Sequence, residues 1–435
     1  MKSKILIRGG CVLTLGERTP NFNEADVLVE DGMIVAVGTG LRSRDAEVVE
    51  AADAIVMPGF VDTHRHVWKS LFRNLGDGAG SVPASVFGSH YGPDDVYAGT
   101  LIGLLGALEA GITTLVDWSD IGLSTEHTAA AMQAHADSGI RSVFVPSNPG
   151  WADKGAGGAL HPGGDGHPLT TIAYGPGTID GFDPRAVASP WEEARRSGLR
   201  IHAHIGTAPG KGEIPALAEL GLLDESVTLV HGSRLDDSDL QTISSTGARL
   251  SLTPASDMAS GRGTPPIQGV IDNEIVTGLG VDDETLAPGD IFAQMRATNS
   301  IQHATMFDLK LAGKAGLPQL LNTRQVIKYA TSGGARVAGV DAVTGSLEPG
   351  KQADIIVLST DRPNIHPIND PIGAVVWGMD TSNVDLVLVA GKALLSDGRL
   401  EADVDRARKL ANDARQRVAE ASGMLSGANL SGGSP

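Results

Sequence analysis

Over residues 4–37 short apolar runs alternate with glycine and polar positions. The runs at 4–7, 11–15, 25–30 and 33–37 are rich in Val, Ile and Leu, and Asp31-Gly32 between the last two is a hairpin turn signal. The same pattern returns at 353–358 and 384–389, where Ala390-Gly391 makes a turn before 392–395. Neither end has enough apolar faces to stand alone, so the two are expected to pair into one small sheet domain. Between them the period changes. Strand-like runs at 59–63, 112–117, 141–146, 169–174, 199–205, 227–231, 248–252 and 275–281 alternate with helical stretches. Residues 94–110 place Val96, Leu101, Leu104, Leu105 and Leu108 on one broad face and stop at Gly111; the stretches 125–138 and 235–246 stop at Gly139 and Gly247 in the same way. Strands alternating with helices in this number predict a (β/α)8 TIM barrel, an α/β fold, with a small β-sandwich built from both chain ends. The expected boundaries are 1–57 plus 340–400 for the sandwich and 58–339 for the barrel. Residues 401–435 then form a charged C-terminal helix and a Gly/Ser-rich flexible tail. One connection, 147–168, is rich in Gly and Pro and has no helical period. At the top of a barrel it reads as a lid or a specificity loop.

Composition narrows the partners. The chain has 435 residues, 34 basic and 52 acidic, for a formal charge of −18. That balance argues against nucleic acid, which needs a basic stripe, and against anionic lipid. Hydrophobic residues at 41 % supply a large core and exclude bulk disorder. Cys11 is the only cysteine, so neither a disulfide framework nor a thiolate metal cluster is available. No apolar run reaches the ~18 residues of a membrane span. Arg8, Gly9 and Gly10 interrupt what would be the apolar part of a signal peptide. A soluble cytoplasmic protein acting on a small molecule is expected.

The chemistry gathers at the strand ends. The motif Pro58-Gly59-Phe60-Val61-Asp62-Thr63-His64-Arg65-His66 ends an apolar strand in His-x-His, and residues i and i+2 of a strand face the same side. Both imidazoles are then placed at the C-terminal mouth of the barrel, where active sites of this fold lie. Ile201-His202-Ala203-His204 ends the fifth strand with a second His-x-His, Leu229-Val230-His231-Gly232 ends the sixth with a histidine, and Leu279-Gly280-Val281-Asp282-Asp283 ends the eighth with carboxylates. Four strands of eight thus end in residue types that bind divalent metals, all at one end of the barrel. Trp68, Trp118 and Trp151 also fall near the barrel top in a chain with only 4 % aromatic residues, which suggests an apolar planar substrate. His90, Asp257 and Asp283 sit in loops at the same end, placed to read polar substrate groups. His202 reads as a deeper, interior residue. His127, His135, His161, His167 and His303 have no supporting pattern.

From about residue 5 to 395 the chain resembles the amidohydrolase superfamily, specifically the branch of triazine chlorohydrolases and cytosine- and guanine-type deaminases. The resemblance rests on the histidine and aspartate motifs above. It also rests on Ala107-Leu108-Glu109-Ala110-Gly111-Ile112-Thr113-Thr114, Ala330-Thr331-Ser332-Gly333-Gly334-Ala335-Arg336 and Gly345-Ser346-Leu347-Glu348-Pro349-Gly350-Lys351-Gln352-Ala353-Asp354. It implies His64, His66, His204 and Asp282 as ligands of one divalent metal, zinc foremost, with iron, manganese or cobalt as alternatives. It implies that His231 contacts the attacking water or the leaving group, and that Asp282 also serves as general base. Such a metal lowers the pKa of a bound water toward neutrality. Binuclear relatives usually add a carboxylated lysine at the end of the fourth barrel strand, or less often a carboxylate. Val143-Phe144-Val145-Pro146 and Ile172-Ala173-Tyr174-Gly175 offer neither, so a single ion is expected. Dimers or tetramers are common in the family, and a homo-oligomer is expected.

One departure bears on the substrate. Deaminases of this branch carry His-x-x-Glu on the fifth strand; here the residue three after His204 is Thr207, whose hydroxyl has no suitable pKa for proton shuttling. Glu213 is near in sequence, with nothing to place it in the pocket. The departure favours attack on the carbonyl of an amide, cyclic amide, urea or carbamate. Deamination or dechlorination of a nitrogen heterocycle is the alternative. A scaffold relative without catalysis is the third reading, disfavoured by the complete ligand set; Thr207 stays a substrate-contact candidate.

Overall fold

The computed structural model describes residues 4–75, 84–146, 167–176, 184–206 and 212–424. Trp151, Thr207 and most of the 147–168 connection lie outside the described residues.

Eight parallel strands close into a barrel in chain order: β6 (Phe60–Arg65), β7 (Ile112–Ser119), β8 (Arg141–Pro146), β9 (Thr170–Tyr174), β10 (Arg200–Ile205), β11 (Val227–His231), β12 (Arg249–Leu252) and β13 (Thr277–Leu279), which returns to β6. Each of the eight expected strands is present, with ends shifted by a residue or two. The reason is burial: strands covered by helices on one face and packed inside on the other read as near-continuous apolar runs. Val227, Leu229 and Val230 of β11 and Ile112, Leu115 and Val116 of β7 are all fully buried. The helix Pro93–Glu109 starts with Pro at its first turn, as the missing N–H permits, and ends at Gly111 (φ +77). The helix Thr125–Ser138 ends at Gly139 in the left-handed conformation, and Asp237–Thr246 ends likewise at Gly247.

The chain ends supply a separate mixed sheet of nine strands. Eight lie in the order β17 (Arg399–Leu400), β16 (Lys392–Ser396), β15 (Val384–Val389), β14 (Ile355–Ser359), β5 (Ala54–Pro58), β1 (Lys4–Val12), β2 (Phe22–Glu30), β3 (Met33–Gly38), and β4 (Glu47–Glu50) pairs with β1 off this path. The sheet folds over its own core of Ile7, Val27, Val29, Val56, Ile355 and Leu388. The hairpin tips meet where Gly32 lies against Ala390 and Gly391, with no room for a Cβ. The runs at 4–7 and 11–15 are one strand, not two. Gly9 (φ +76) makes a bulge, so β1 pairs with β4 before it and with β5 after it. The C-terminal helix Val404–Ala421 packs its Ala414, Val418 and Ala419 with Trp68, Phe72 and Phe87. No helix among the described residues is long and apolar enough to cross a membrane.

Candidate metal centre

The strand ends do converge. His64 and His66 have ring centroids 5.0 Å apart, and His204 lies 4.8 Å from His64. The two Nε2 atoms of His64 and His204 are 3.1 Å apart. Asp282 Oδ1 stands 3.4 Å from Nε2 of both His64 and His66. His231 completes the cluster, its ring 5.1 Å from His204 and stacked on it. Donor atoms of His64, His66 and His204, and separately of His64, His231 and Asp282, fall within 4.8 Å of one another.

The backbone explains how Asp282 arrives there. It follows the short strand β13, and its N–H donates to His64 O (2.8 Å) while His66 N–H donates to Asp282 O (3.0 Å). The residue is thereby stitched between the two histidines. Its φ of +65° is left-handed, a conformation that aspartate tolerates better than most residues. His231, the last residue of β11, also has positive φ, +78°, and the next N–H, of Gly232, donates to Ile205 O at the end of β10. Gly280 allows β13 to approach β6: a Cβ there would lie 2.9 Å from His64 N and O.

The buried donors are set up to receive a cation. Asp282 Oδ1 is buried without a hydrogen bond, although its partner oxygen Oδ2 accepts from Ser256 Oγ (2.6 Å) and Arg262 Nη1 (2.7 Å). One oxygen is saturated by the protein and the other is left facing imidazoles. Burial pushes His64 down to about 4 and holds His204 well below the ordinary imidazole value, so both are neutral, as ligands must be. Burial opposes charge on His66 too, but the Asp120 carboxylate outweighs it and pushes His66 up to about 9. His66 Nδ1 lies 3.0 Å from Asp120 Oδ1, which leaves Nε2 turned toward Asp282. Burial alone would raise Asp282, yet the imidazoles of His64 and His66 and the Arg262 guanidinium hold it well below the usual carboxylate range. Three imidazoles and one unsatisfied carboxylate oxygen fit a divalent cation, and His66 would give up its proton on binding one.

His231 is oriented by its far nitrogen. Nδ1 lies 2.8 Å from Thr253 Oγ1 and 2.9 Å from Asp257 Oδ1, which assigns the proton to Nδ1 and frees Nε2 for the centre. Asp257 in turn accepts from Ser233 Oγ. Thus Asp257, expected in a substrate-facing loop, is fully buried against His231. Trp118 packs its ring 4.2 Å from His204 and 5.8 Å from His64, walling the centre on that side. Trp68 lies in an aromatic group with Phe72, Phe87 and Tyr91 and donates from Nε1 to Asp120 Oδ1 (2.6 Å), which links it to the centre through Asp120. Asp283 accepts from Lys69 Nζ and from Thr285 N and Oγ1, and shares no contact with the histidines. His90 is exposed on a short 3-10 turn with no tie to them. His202 is buried below His204 with neither ring nitrogen bonded. Glu213 is buried beside Asp239 on the next helix.

Four residues went unassigned in the sequence: Asp120, Thr253, Ser256 and Arg262. They sit in or next to connections without periodicity. The one usable signal was their place, just after the ends of β7 and β12.

A match to the model described as "Amidohydrolase family" covers residues 55–394, more than half of the chain. Among curated relatives, a 5'-deoxyadenosine deaminase of Methanosarcina mazei is 26 % identical over 95 % of this chain and 99 % of its own length. A 5-methylthioadenosine/S-adenosylhomocysteine deaminase of Haloarcula marismortui is 28 % identical over 97 % of this chain and 100 % of its own. Among solved structures, a zinc-bound adenosine deaminase from Xanthomonas campestris superposes with a TM-score of 0.83 at 20 % identity, covering 96 % of this chain and 99 % of that one. The zinc complex of atrazine chlorohydrolase from Arthrobacter aurescens TC1 gives 0.82 at 22 % identity, covering 94 % and 100 %. With the closed barrel, the folded-over sheet and the convergent strand ends already in hand, the conclusion is that the chain belongs to the amidohydrolase family of hydrolytic enzymes.

Proposed function

We propose that the protein is a mononuclear metal-dependent hydrolase. It opens a carbon–nitrogen bond in a small cyclic or heterocyclic substrate of the amide, cyclic amide, urea or carbamate type. The observation that carries this reading is the meeting of His64, His66, His204 and Asp282 around one unsatisfied carboxylate oxygen. These four would hold one divalent ion, zinc foremost, as in the zinc-bound structural neighbours. When bound, the ion supplies Lewis acidity for activating water near neutral pH.

The chain's own residues do the rest. Asp282 takes the proton of the attacking water, then passes it to the leaving nitrogen. Ser256 and Arg262 pin Oδ2 and so fix the plane of that carboxylate. His231, with Asp257 behind Nδ1, presents Nε2 to the carbonyl oxygen and stabilises charge developing there. Trp118 excludes water from one side and offers a flat apolar wall to a planar ring.

Deamination or dechlorination of a heteroaromatic ring is the second reading, favoured by the deaminase relatives and opposed by Thr207 in place of the His-x-x-Glu carboxylate. One experiment separates them: zinc-loaded protein is incubated with cyclic amides, ureas, carbamates and amino- and chloro-heterocycles, and products are scored by mass. Cleavage at a carbonyl, seen as water added to a cyclic amide, ureide or carbamate without loss, supports the first reading, and replacement of a ring amino group or chlorine by hydroxyl, with release of ammonia or chloride, supports the second. About one equivalent of metal, loss of turnover on chelation, and loss of turnover in a folded Asp282→Asn variant are expected under both. A protein without stoichiometric metal, or an active Asp282→Asn, removes the proposal.

A further inference from the structure

Arg262 has only a bracing part in the mechanism above, yet its setting is built for more. The turn after the helix Pro254–Ala259 passes through Gly261 (φ +72) and Gly263 (φ +129), and the second value is backbone that residues with a Cβ rarely enter. Between these glycines the Arg262 backbone is held on both sides. Its N–H donates to Asp257 O (2.9 Å), and its carbonyl accepts from Arg234 Nε (2.8 Å). The side chain then reaches the rim of the centre. Nη1 donates to Asp282 Oδ2 at 2.7 Å and lies 3.4 Å from Asp257 Oδ1. Among the described residues no side chain or carbonyl takes up Nε or Nη2, and the side chain keeps 27 % of its surface exposed.

Those two N–H groups form one edge of the guanidinium, nearly parallel, at the spacing that matches both oxygens of a carboxylate. The guanidinium stays charged at every working pH. Nε and Nη2 share a carbon with Nη1, so the open edge stands within a few ångströms of Asp282. Here a ligand and the attacking water must meet. In a chain of net charge −18, a fixed cation with an open edge beside the reacting centre is a selective feature.

We propose that the Nε–Nη2 edge of Arg262 binds a carboxylate of the substrate, so that the compounds hydrolysed are small cyclic amides or ureides carrying a carboxylate next to the ring. This rests on the functional reading above and narrows its substrate class. Lysine in this place would keep the charge and lose the fork.

The test uses zinc-loaded protein and two ring-matched probes, orotate and uracil, which differ by one carboxylate, titrated calorimetrically. A charge-assisted bidentate pair corresponds to about tenfold to hundredfold in affinity, so wild type is expected to bind orotate at least about tenfold tighter than uracil. Arg262→Gln, titrated at saturating zinc so that a weakened metal site does not enter the comparison, is expected to bring the ratio to about one with circular dichroism unchanged, and Arg262→Lys to lower it several-fold. A wild-type ratio near one, failure of wild type to bind orotate at millimolar concentration, or a ratio preserved in Arg262→Gln overturns the proposal. If Arg262→Gln loses zinc, Arg262→Lys decides, and an unchanged ratio there overturns it. The functional reading fails separately, when zinc-loaded protein hydrolyses nothing in the substrate panel. A residue that merely braces Asp282 and Asp257 would alter zinc affinity in these variants and leave the orotate-to-uracil ratio where it was.

Discussion

Gly280→Ala isolates the geometry on which the centre depends. A Cβ at 280 would stand 2.9 Å from His64 N, 2.9 Å from His64 O and 3.0 Å from His64 Cβ, none of them the movable end of a flexible side chain. Ordinary contact begins at 3.4 Å, so β13 must withdraw from β6 by about 0.5 Å. The hydrogen bond from Asp282 N to His64 O, 2.8 Å long, spans the same gap and must stretch. Overpacking of this kind costs about 1–3 kcal/mol, or roughly 2–5 °C in melting temperature for a barrel of this size. The larger effect is expected on the ion, because Asp282 and His64 move apart. A loss of about 10–100-fold in zinc affinity is the scale seen when the support of a ligand is disturbed. Zinc affinity is measured by competition with a chromophoric chelator, and melting by circular dichroism in the metal-free and loaded forms. Gly38→Ala is the control, since a Cβ there meets nothing within 4 Å. Unchanged melting and unchanged zinc affinity in Gly280→Ala, matching Gly38→Ala, would refute the claim that the β6–β13 approach sets the ligand positions.

Three further outcomes are expected. Asp257→Asn removes the charge behind His231 Nδ1 and is expected to lower kcat about tenfold to hundredfold with zinc stoichiometry intact; an unaltered kcat would show that His231 needs no orienting carboxylate. Thr207→Ala is expected to retain measurable turnover of a carbonyl substrate, whereas total loss would assign the hydroxyl a direct chemical part. Glu284 gives a pH signature: burial opposes its charge, but Arg65 and Arg73 outweigh it and hold the carboxyl below its ordinary value of 4.5, with Ser70 adding a hydrogen bond. Its contribution to stability is therefore complete above that value and is lost as pH falls through the lower folded value. Thermal melts of the metal-free protein between neutral and strongly acidic pH are expected to fall more steeply for wild type than for Glu284→Gln, and parallel profiles would contradict the ion-pair account.

The barrel was legible because its strands are buried on both faces and punctuated by left-handed glycines such as Gly111, Gly139 and Gly247. The histidines were legible because a strand end with period two fixes which side chains share a face. What the sequence could not carry was any contact set by loops. Nothing in Ser256 or Arg262 says that both will reach the same oxygen of a residue some twenty positions later. Nothing in Asp120 distinguishes it from other acidic loop residues, although it anchors both His66 and Trp68. Trp68 shows the limit of an aromatic signal: its position near His66 was readable, but the neighbours that draw it into an aromatic group arrive from the Phe87–Tyr91 segment. The strand β4, Glu-Val-Val-Glu, has an exposed to half-exposed pattern and gave no apolar alternation to detect.

The positive φ angles at His231 and Asp282 bear on how the two side chains are held in place. A left-handed non-glycine residue costs roughly 1–2 kcal/mol, and such strain persists only where the surroundings over-determine it. Here they do. Asp282 is held through its own N–H and carbonyl to His64 and His66, and the residue after His231 is held to the end of β10. At its side chain, Oδ2 is saturated by Ser256 and Arg262, while Nδ1 of His231 is engaged by Thr253 and Asp257. Each of these constraints comes from the polypeptide, so the folding energy of the barrel maintains the strain that positions both side chains. Substitutions at Ser256 or Arg262, which hold the Asp282 carboxylate, should then weaken metal binding and catalysis together, even where no metal ligand is touched.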